Sequence, residues 1–322
     1  MSGKHTWHAG TLIDLKFIEK PKILSEIVNC TFSPNNRPVT QVSPGEKVQL
    51  ETYDCYANVV KRHRDLTKAL KSGLKLFDNP LTGPVFVENA EPGDTLAVDI
   101  IDIKVPDIGL TTINPDYGTL GGWLTESQAV SKFTEIKHGK VHYETDRGKE
   151  ISFPIKPFIG TIGVAPQTES IASSTPHKHG GNMDVSDVCA GNRLYLPVGV
   201  RGALFAVGDV HATQGDGEIC GTAVEVPAII TVKFDVLKHV TIEWPRIESA
   251  QELMTVGSAR PLEDAARLAF RELILWLEKD YGLSTDDAYM LLSLAARARI
   301  AQLVNPLYTV VAKLSRQYLP RD

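Results

Sequence analysis

Along the first three quarters of the chain, apolar and polar positions alternate in short runs bounded by proline and glycine. Val48, Leu50 and Thr52 alternate with Lys47, Gln49 and Glu51, which predicts a strand over Lys47–Tyr53 with one buried face. It follows the turn Ser43-Pro44-Gly45-Glu46, and the same grammar recurs at Glu91-Pro92-Gly93-Asp94, between predicted strands Val85–Glu88 and Thr95–Val105. Proline and glycine set the bend and the acidic residue caps it, so Gly45 and Gly93 read as turn glycines. The glycine-broken apolar stretch Phe158-Ile159-Gly160-Thr161-Ile162-Gly163 predicts a buried strand, and several short strands run from Arg193 to Lys238, the last at Ile229–Val236. Residues 106–150 are the least patterned and are expected to form a long loop or a small inserted lobe.

From Leu262 the period changes. Leu262, Ala265, Ala266, Ala269, Leu273, Ile274 and Leu277 recur at helical spacing, and Gly282 stops that helix. Ser284-Thr285-Asp286-Asp287 caps a second helix reaching about Leu303, ended by Asn305-Pro306, and a third short helix is expected from Leu307 to Tyr318. Strands followed by helices indicate a β-rich α+β fold, a β-sandwich or barrel assembly with C-terminal helices packed on it. The expected division is a β-rich catalytic core over 1–240 and a helical part over 241–322. There is no βαβ alternation, no GxGxxG and no GxxxxGK[ST], which leaves nucleotide-binding folds without support.

The 322 residues, 43% hydrophobic and 23% charged, suit one large β-rich unit or two packed subdomains. A net charge of −5 gives no electrostatic reason to expect nucleic acid or an anionic membrane as partner. The basic run Lys61-Arg62-His63-Arg64 is followed by Asp65 and reads as a solvated face. No run approaches the ~20 apolar residues of a membrane span, and the N-terminal segment with His5 and His8 lacks a signal peptide's apolar core. Cys30, Cys55, Cys189 and Cys220 form no CxxC pair, so free thiols in a reducing compartment, the cytoplasm, are expected.

Candidate chemistry gathers between Gly180 and Glu225. Asp184, Asp209, His211, Asp216, Glu218 and Glu225 are groups that bind metals or move protons, and they lie among glycines that let a backbone bend tightly. Asp184, His211 and Glu218, with Asp54 from an earlier strand end, make a mixed nitrogen and oxygen ligand set that zinc accepts. Each also has a structural reading. His211 can hydrogen-bond across a turn, Asp216-Gly217 can be a hairpin turn, Asp184 can cap Val185, and Asp54 can satisfy loose backbone donors. His177 and His179 form an HxH pair in what reads as a loop.

Four blocks in register are similar to the acetamidase/formamidase family: NPLTGPVFVENAEPGDTLAV at Asn79–Val98, PFIGTIGVAP at Pro157–Pro166, GGNMD at Gly180–Asp184, and LPV through QGDGEICGTAVE at Leu196–Glu225. The tail blocks Leu262–Phe270 and Gly282–Ser293 are similar too. The resemblance implies metal-dependent hydrolysis of a short aliphatic amide to ammonia and a carboxylate, in a homo-oligomer. Asp54, Asp184 and His211 are then expected to hold a divalent metal, zinc by preference and calcium as the alternative. Glu218, with His211, is expected to move protons. Gly181, Asn182 and His179 are expected to contact the substrate. The residues after Asp54, Cys55 to Lys61, and the lobe Arg64–Phe77 depart from the family's pattern and leave room for another amide. The competing reading is a non-catalytic β-module that binds a small ligand or calcium in its acidic turns. A third is an amidase with Cys189 or Cys220 as nucleophile; it predicts that thiol alkylation, not chelation, abolishes activity.

Overall fold

The computed structural model describes residues 29–61, 65–66, 79–115, 117–123 and 129–320. The expectations for His5 and His8, for Arg62 to Arg64, and for most of the Arg64–Phe77 lobe lie outside the described residues. Two large sheets carry the fold. The first has ten strands, with Phe205–His211 flanked by Phe158–Gly163, Leu81–Val87 and Glu225–Val226, and Gly180–Asn182 at the edge beyond Phe158–Gly163. The second has eight, with Thr95–Lys104 between Ala228–Leu237 and Arg193–Pro197.

Period-2 patterning decides which faces meet. Val48, Leu50, Val98, Ile230, Val232 and Phe234 of the second sheet share one core with Val85, Ile159, Ile162, Val207 and Val210 of the first. Phe205 meets Phe234 edge to face across that core, with ring centroids 4.9 Å apart. The sandwich is therefore held by apolar faces that neither sheet can cover alone.

The opposite face of the second sheet takes the helices. Leu253, Val310, Ala312 and Leu314 pack against Ala265, Ala269, Leu273 and Leu277 of the helix Leu262–Tyr281. Met254, Val256 and Val311, on alternate positions of the same strands, belong to the inter-sheet core. Gly257 lets the helix lie close, because a Cβ there would stand 2.2 Å from the Ala265 carbonyl oxygen. Gly282 ends the helix in a left-handed conformation, φ 65°, and the Ser284 side chain accepts from the Asp287 amide to begin the next helix, Thr285–Ala295.

The tail departs from expectation beyond that point. The second helix stops at Ala295 instead of about Leu303, and the expected third helix is a strand. Arg297–Gln302 pairs with Tyr308–Ser315, which in turn pairs with Glu252–Ala259, and only Arg316–Tyr318 forms a short 3-10 turn. The β-branched run Thr309-Val310-Val311 favours the pleat, and the edge of the second sheet supplies its backbone partners. Residues 241–322 therefore add four strands to the sheet that also holds Lys47–Thr52. Residues 106–150, read as a loop or lobe, resolve largely into an antiparallel meander, Ile108–Ile113, Val130–Lys137, Lys140–Glu144, running on to Glu150–Pro154 at the end of the first sheet. Among the described residues no helix is long and apolar enough to cross a membrane.

Candidate active site

Three antiparallel strands assemble the site. Phe158–Gly163 pairs with Phe205–His211 on one side and Gly180–Asn182 on the other, so Thr161 lies opposite both Gly208 and Asn182. Glu225 of the next strand lies opposite His211. Asp209 and His211, two apart on one strand, turn to the same face. Gly160 makes room for the acids: a Cβ there would stand 2.7 Å from Asp184 Oδ1 and 2.8 Å from the Asp209 carbonyl oxygen.

Asp184, Asp209 and Glu218 all have left-handed backbones, with φ of 52°, 50° and 46°. That conformation costs a non-glycine residue about 1–3 kcal/mol and survives only where the surroundings impose it, most often at functional sites. Ligand-capable atoms of these residues and their neighbours form two buried groups. One is Asp184, His211 and Glu218; the other is Cys55, Asp209 and Glu225; within each, the atoms lie within 4.8 Å of one another.

Hydrogen bonds orient the cluster. Gln214 Nε2 donates to the carbonyl oxygens of Asp184 and Ala301 at 3.1 and 3.0 Å, which leaves Gln214 Oε1 as the acceptor facing His211 Nδ1 at 2.9 Å. Nδ1 therefore carries a proton, and Nε2 points at Asp209 Oδ1 and Glu225 Oε2, each 3.2 Å away. Asn305 Nδ2 donates to Asp184 Oδ2 at 2.7 Å. With its nitrogen turned toward the acids, the Asn182 amide donates to Asp184 Oδ1 at 3.0 Å and Asp209 Oδ2 at 2.9 Å. Asn79 Nδ2 adds a bond to Asp209 Oδ2 at 3.1 Å.

Burial dominates the electrostatics. It lifts Asp184 to about 6, Glu225 to about 7 and Glu218 well above the ordinary carboxyl range, and neighbouring acids add to each shift. Burial opposes the charge of His211 too, yet Glu225 and Asp209 outweigh it and hold the imidazole well above its usual value. Asp209 resists burial through the nearby imidazole and its hydrogen bonds and falls below its usual value. A cavity of about 290 Å³ opens on this cluster, with Asn79, Asn182, Asp209, Glu218, Glu225 and Cys55 in its wall.

Several expected residues sit elsewhere. Asp54 belongs to neither ligand group. Its Oδ1 accepts from the Tyr56 and Asn58 amides at 3.0 and 2.7 Å, so the carboxylate holds its own turn, and the place expected for it among the metal ligands is corrected on that ground. His179 is only 4% exposed, packs edge to face on Phe32, and has no partner for either ring nitrogen. His177 leans on Trp244 instead, so the two histidines do not converge. Among the described residues the cavity wall includes Asn182 but neither Gly181 nor His179. Gly181 answers to packing, since a Cβ there would stand 2.2 Å from the Thr175 carbonyl oxygen. Asp216 is a surface partner of Arg299, its Oδ1 3.0 Å from Arg299 Nε. Cys220 is in the cavity wall and donates to the Thr222 carbonyl at 3.2 Å; Cys189 is not in that wall. Cys55, Asn79, Gln214 and Asn305 were not legible as site residues. Asn305 in particular reads as a helix stop, because the asparagine-proline pair is a strong breaker.

The family model of the acetamidase/formamidase family matches residues 20–175 and 169–315. The chain belongs to the acetamidase/formamidase family. An acetamidase from Bacillus halodurans has the same fold at a TM-score of 0.84 with 37% identity, over 90% of this chain and 96% of that one. An acetamidase from Yersinia enterocolitica also reaches 0.84, with 40% identity over 91% and 90%. A formamidase from Methylophilus methylotrophus is 25% identical over 280 residues, 71% of this chain and 68% of its own length. The reading as a non-catalytic module is set aside by this membership: the chain is an amidohydrolase. Within the family fold, Asp209, Glu218 and Glu225 line one cavity of about 290 Å³.

Proposed function

We propose that this enzyme hydrolyses a short linear amide, of the formamide or acetamide class, to ammonia and the carboxylate, with water as nucleophile and a divalent cation, zinc by donor type, in the buried cluster. The observation that carries this is the charge imbalance. Asp184, Asp209, Glu218 and Glu225 are all buried around one imidazole, His211. Burying unpaired carboxylates is so unfavourable that they take up protons or a cation. Asp184 and His211 fit a cation, with Glu218 beside it: the donor types suit zinc, and the 4.8 Å limit on the separations within this group is close to the ~4 Å span of two ligands at ~2 Å bonds. Gly160 keeps the space between the acids clear.

Asp184 and His211 would hold the cation, which supplies a water of lowered pKa and polarises the amide carbonyl. Glu218, at a raised pKa and in the cavity wall, takes the proton from the attacking water and returns it to the departing nitrogen. Gln214 sets the tautomer of His211, and Asn305 and Asn182 keep the Asp184 carboxylate in place. Asn182 and Asn79 stand in the cavity wall, where they would border the bound substrate while holding the acids. Homo-oligomeric assembly, implied by the resemblance, is part of the same proposal and is read from the mass in solution. Free thiols at Cys55, Cys189 and Cys220 support placing the enzyme in the cytoplasm.

The test is ammonia release over a panel of linear amides, with and without prior chelation. Turnover of formamide or acetamide that disappears on chelation and returns with zinc is the expected result. Full activity after metal removal, verified by elemental analysis, overturns the metal role; no turnover of any amide overturns the substrate class.

A further inference from the structure

The second buried group, Cys55, Asp209 and Glu225, has no part in the proton transfers above. Its three ligand-capable atoms lie within 4.8 Å of one another, and all three side chains stand in the cavity wall. Cys55 is 8% exposed and the two acids 2% each. Glu225 Oε1 accepts from the Ala223 amide at 2.7 Å, but Oε2 has no hydrogen bond. That oxygen is 3.2 Å from His211 Nε2, whose contact with Asp209 Oδ1 is the same length. This carboxylate oxygen faces a cavity with another carboxylate and a sulfur beside it, and its positive neighbour, the His211 imidazole, is shared with Asp209, so two buried acids divide one cationic partner.

A thiol among carboxylates is in a poor place for a nucleophile. Reactive cysteines sit in electropositive surroundings, where the thiolate is favoured. Burial and the charges of Glu225, Asp209 and Asp54 push the Cys55 thiol well above its ordinary value. The same surroundings suit a cation, which pairs with both acids and takes the sulfur as thiolate.

The geometry points to a second divalent cation site formed by Cys55, Asp209 and Glu225, which makes the catalytic pocket a two-cation centre. This rests on the metal reading of the Asp184, His211 and Glu218 group. Charge supports it. With His211 neutral as a ligand, one divalent ion leaves the four buried carboxylates a net charge of about −2, and a second ion together with the Cys55 thiolate brings the cluster to about −1. The sulfur selects the ion class: thiolate favours zinc over magnesium or calcium, which take oxygen. Paired cations in hydrolases can bind the attacking water and polarise the carbonyl oxygen while the nitrogen leaves, and the cavity of about 290 Å³, lined by Glu218 and by all three residues of the second group, has room for a small amide.

Counting ions tests the proposal independently of activity. The full chain is stripped by chelation, loaded with zinc, desalted and analysed for zinc per chain; a cobalt-loaded sample is read for the near-ultraviolet sulfur-to-cobalt charge-transfer band. Two zinc ions per wild-type chain are expected, falling to one in Cys55→Ser and to one in Asp184→Asn. The cobalt band is expected in the wild type and in Asp184→Asn and absent from Cys55→Ser. A single ion per wild-type chain, or a Cys55→Ser protein with unchanged zinc content, overturns the second site. In the latter case a loss of zinc in Asp184→Asn leaves the first site standing. No zinc in the wild type overturns both. If Cys55→Ser does not melt cooperatively, the cobalt band of the wild type decides: no sulfur band, no thiolate ligand.

Discussion

Glu218 and Asp184 share one small volume, yet they are asked for different things. Asp184 is held at both oxygens by amide donors from Asn305 and Asn182 and is lifted only to about 6. Glu218 is pushed further by burial and by the Asp184 charge, so it keeps a proton more readily. Glu218→Gln preserves shape but cannot accept and return a proton. It is expected to lower kcat by ~10²–10⁴-fold while zinc content holds. Parallel loss of zinc and activity would make Glu218 a ligand instead.

At the scale of elements, the two halves of the tail do different work. Leu273 is fully buried between the helix Leu262–Tyr281 and the second sheet, in an apolar cluster separate from the one that holds the site strands. Leu273→Ala should cost about 2–5 kcal/mol of stability and leave activity per folded molecule nearly unchanged, read from a melt and an amidase assay on one preparation. The loop after Arg297–Gln302 behaves otherwise. Gln302 Oε1 accepts from the Asn305 amide at 2.9 Å, and Asn305 reaches Asp184. Asn305→Ala should reduce activity or zinc affinity by about 10–100-fold, the usual effect of removing an outer partner of a ligand. A purely structural role would show as a lower melting temperature with zinc affinity and kcat intact. The stripe packs as its helical period predicts, whereas this loop reaches the buried acids.

For the whole molecule, His179 supplies a pH dependence. Burial, with a smaller push from His177, lowers its folded pKa to about 3, below the ordinary 6.5. Below pH 6.5 the unfolded chain binds a proton that the folded chain refuses, so stability falls as pH falls, by up to about 1.4 kcal/mol per pH unit for one full proton, and this continues toward the folded pKa. Above pH 6.5 the histidine contributes no slope. His179→Phe, apolar and of similar shape beside Phe32, should flatten the decline in melting temperature between pH 6.5 and pH 4 and cost little at pH 7.5. An unchanged decline in the variant would assign that pH dependence to the carboxylates instead.

Much of this protein is local and can be read along the chain. Alternation at Lys47–Thr52, the turn glycines Gly45 and Gly93 with φ of 91° and 93°, and the helix from Leu262 to its glycine stop follow from period and backbone freedom. The crowding of Asp184, Asp209, His211, Glu218 and Glu225 in one stretch was also legible, because that stretch is glycine-rich and acidic where a plain sheet would not be. The tail beyond Ala295 was not. Alanine and leucine at mixed spacing suit helix or strand, and a free sheet edge from Glu252–Ala259 settled it. Nor could spacing tell that Asp54 would close its own turn while Cys55, next to it, would reach Asp209 and Glu225. Side-chain direction at the end of a strand depends on the bend that follows. The partners of a buried acid come from wherever the sheets bring a donor, here from Asn79, Gln214 and Asn305. The sequence by itself determined the strands flanked by turn glycines, the helix from Leu262 and the stretch in which the acids gather. Which carboxylates share a cavity was decided only in the tertiary structure, because burial and proximity create their shared charge imbalance, and neither exists in the extended chain.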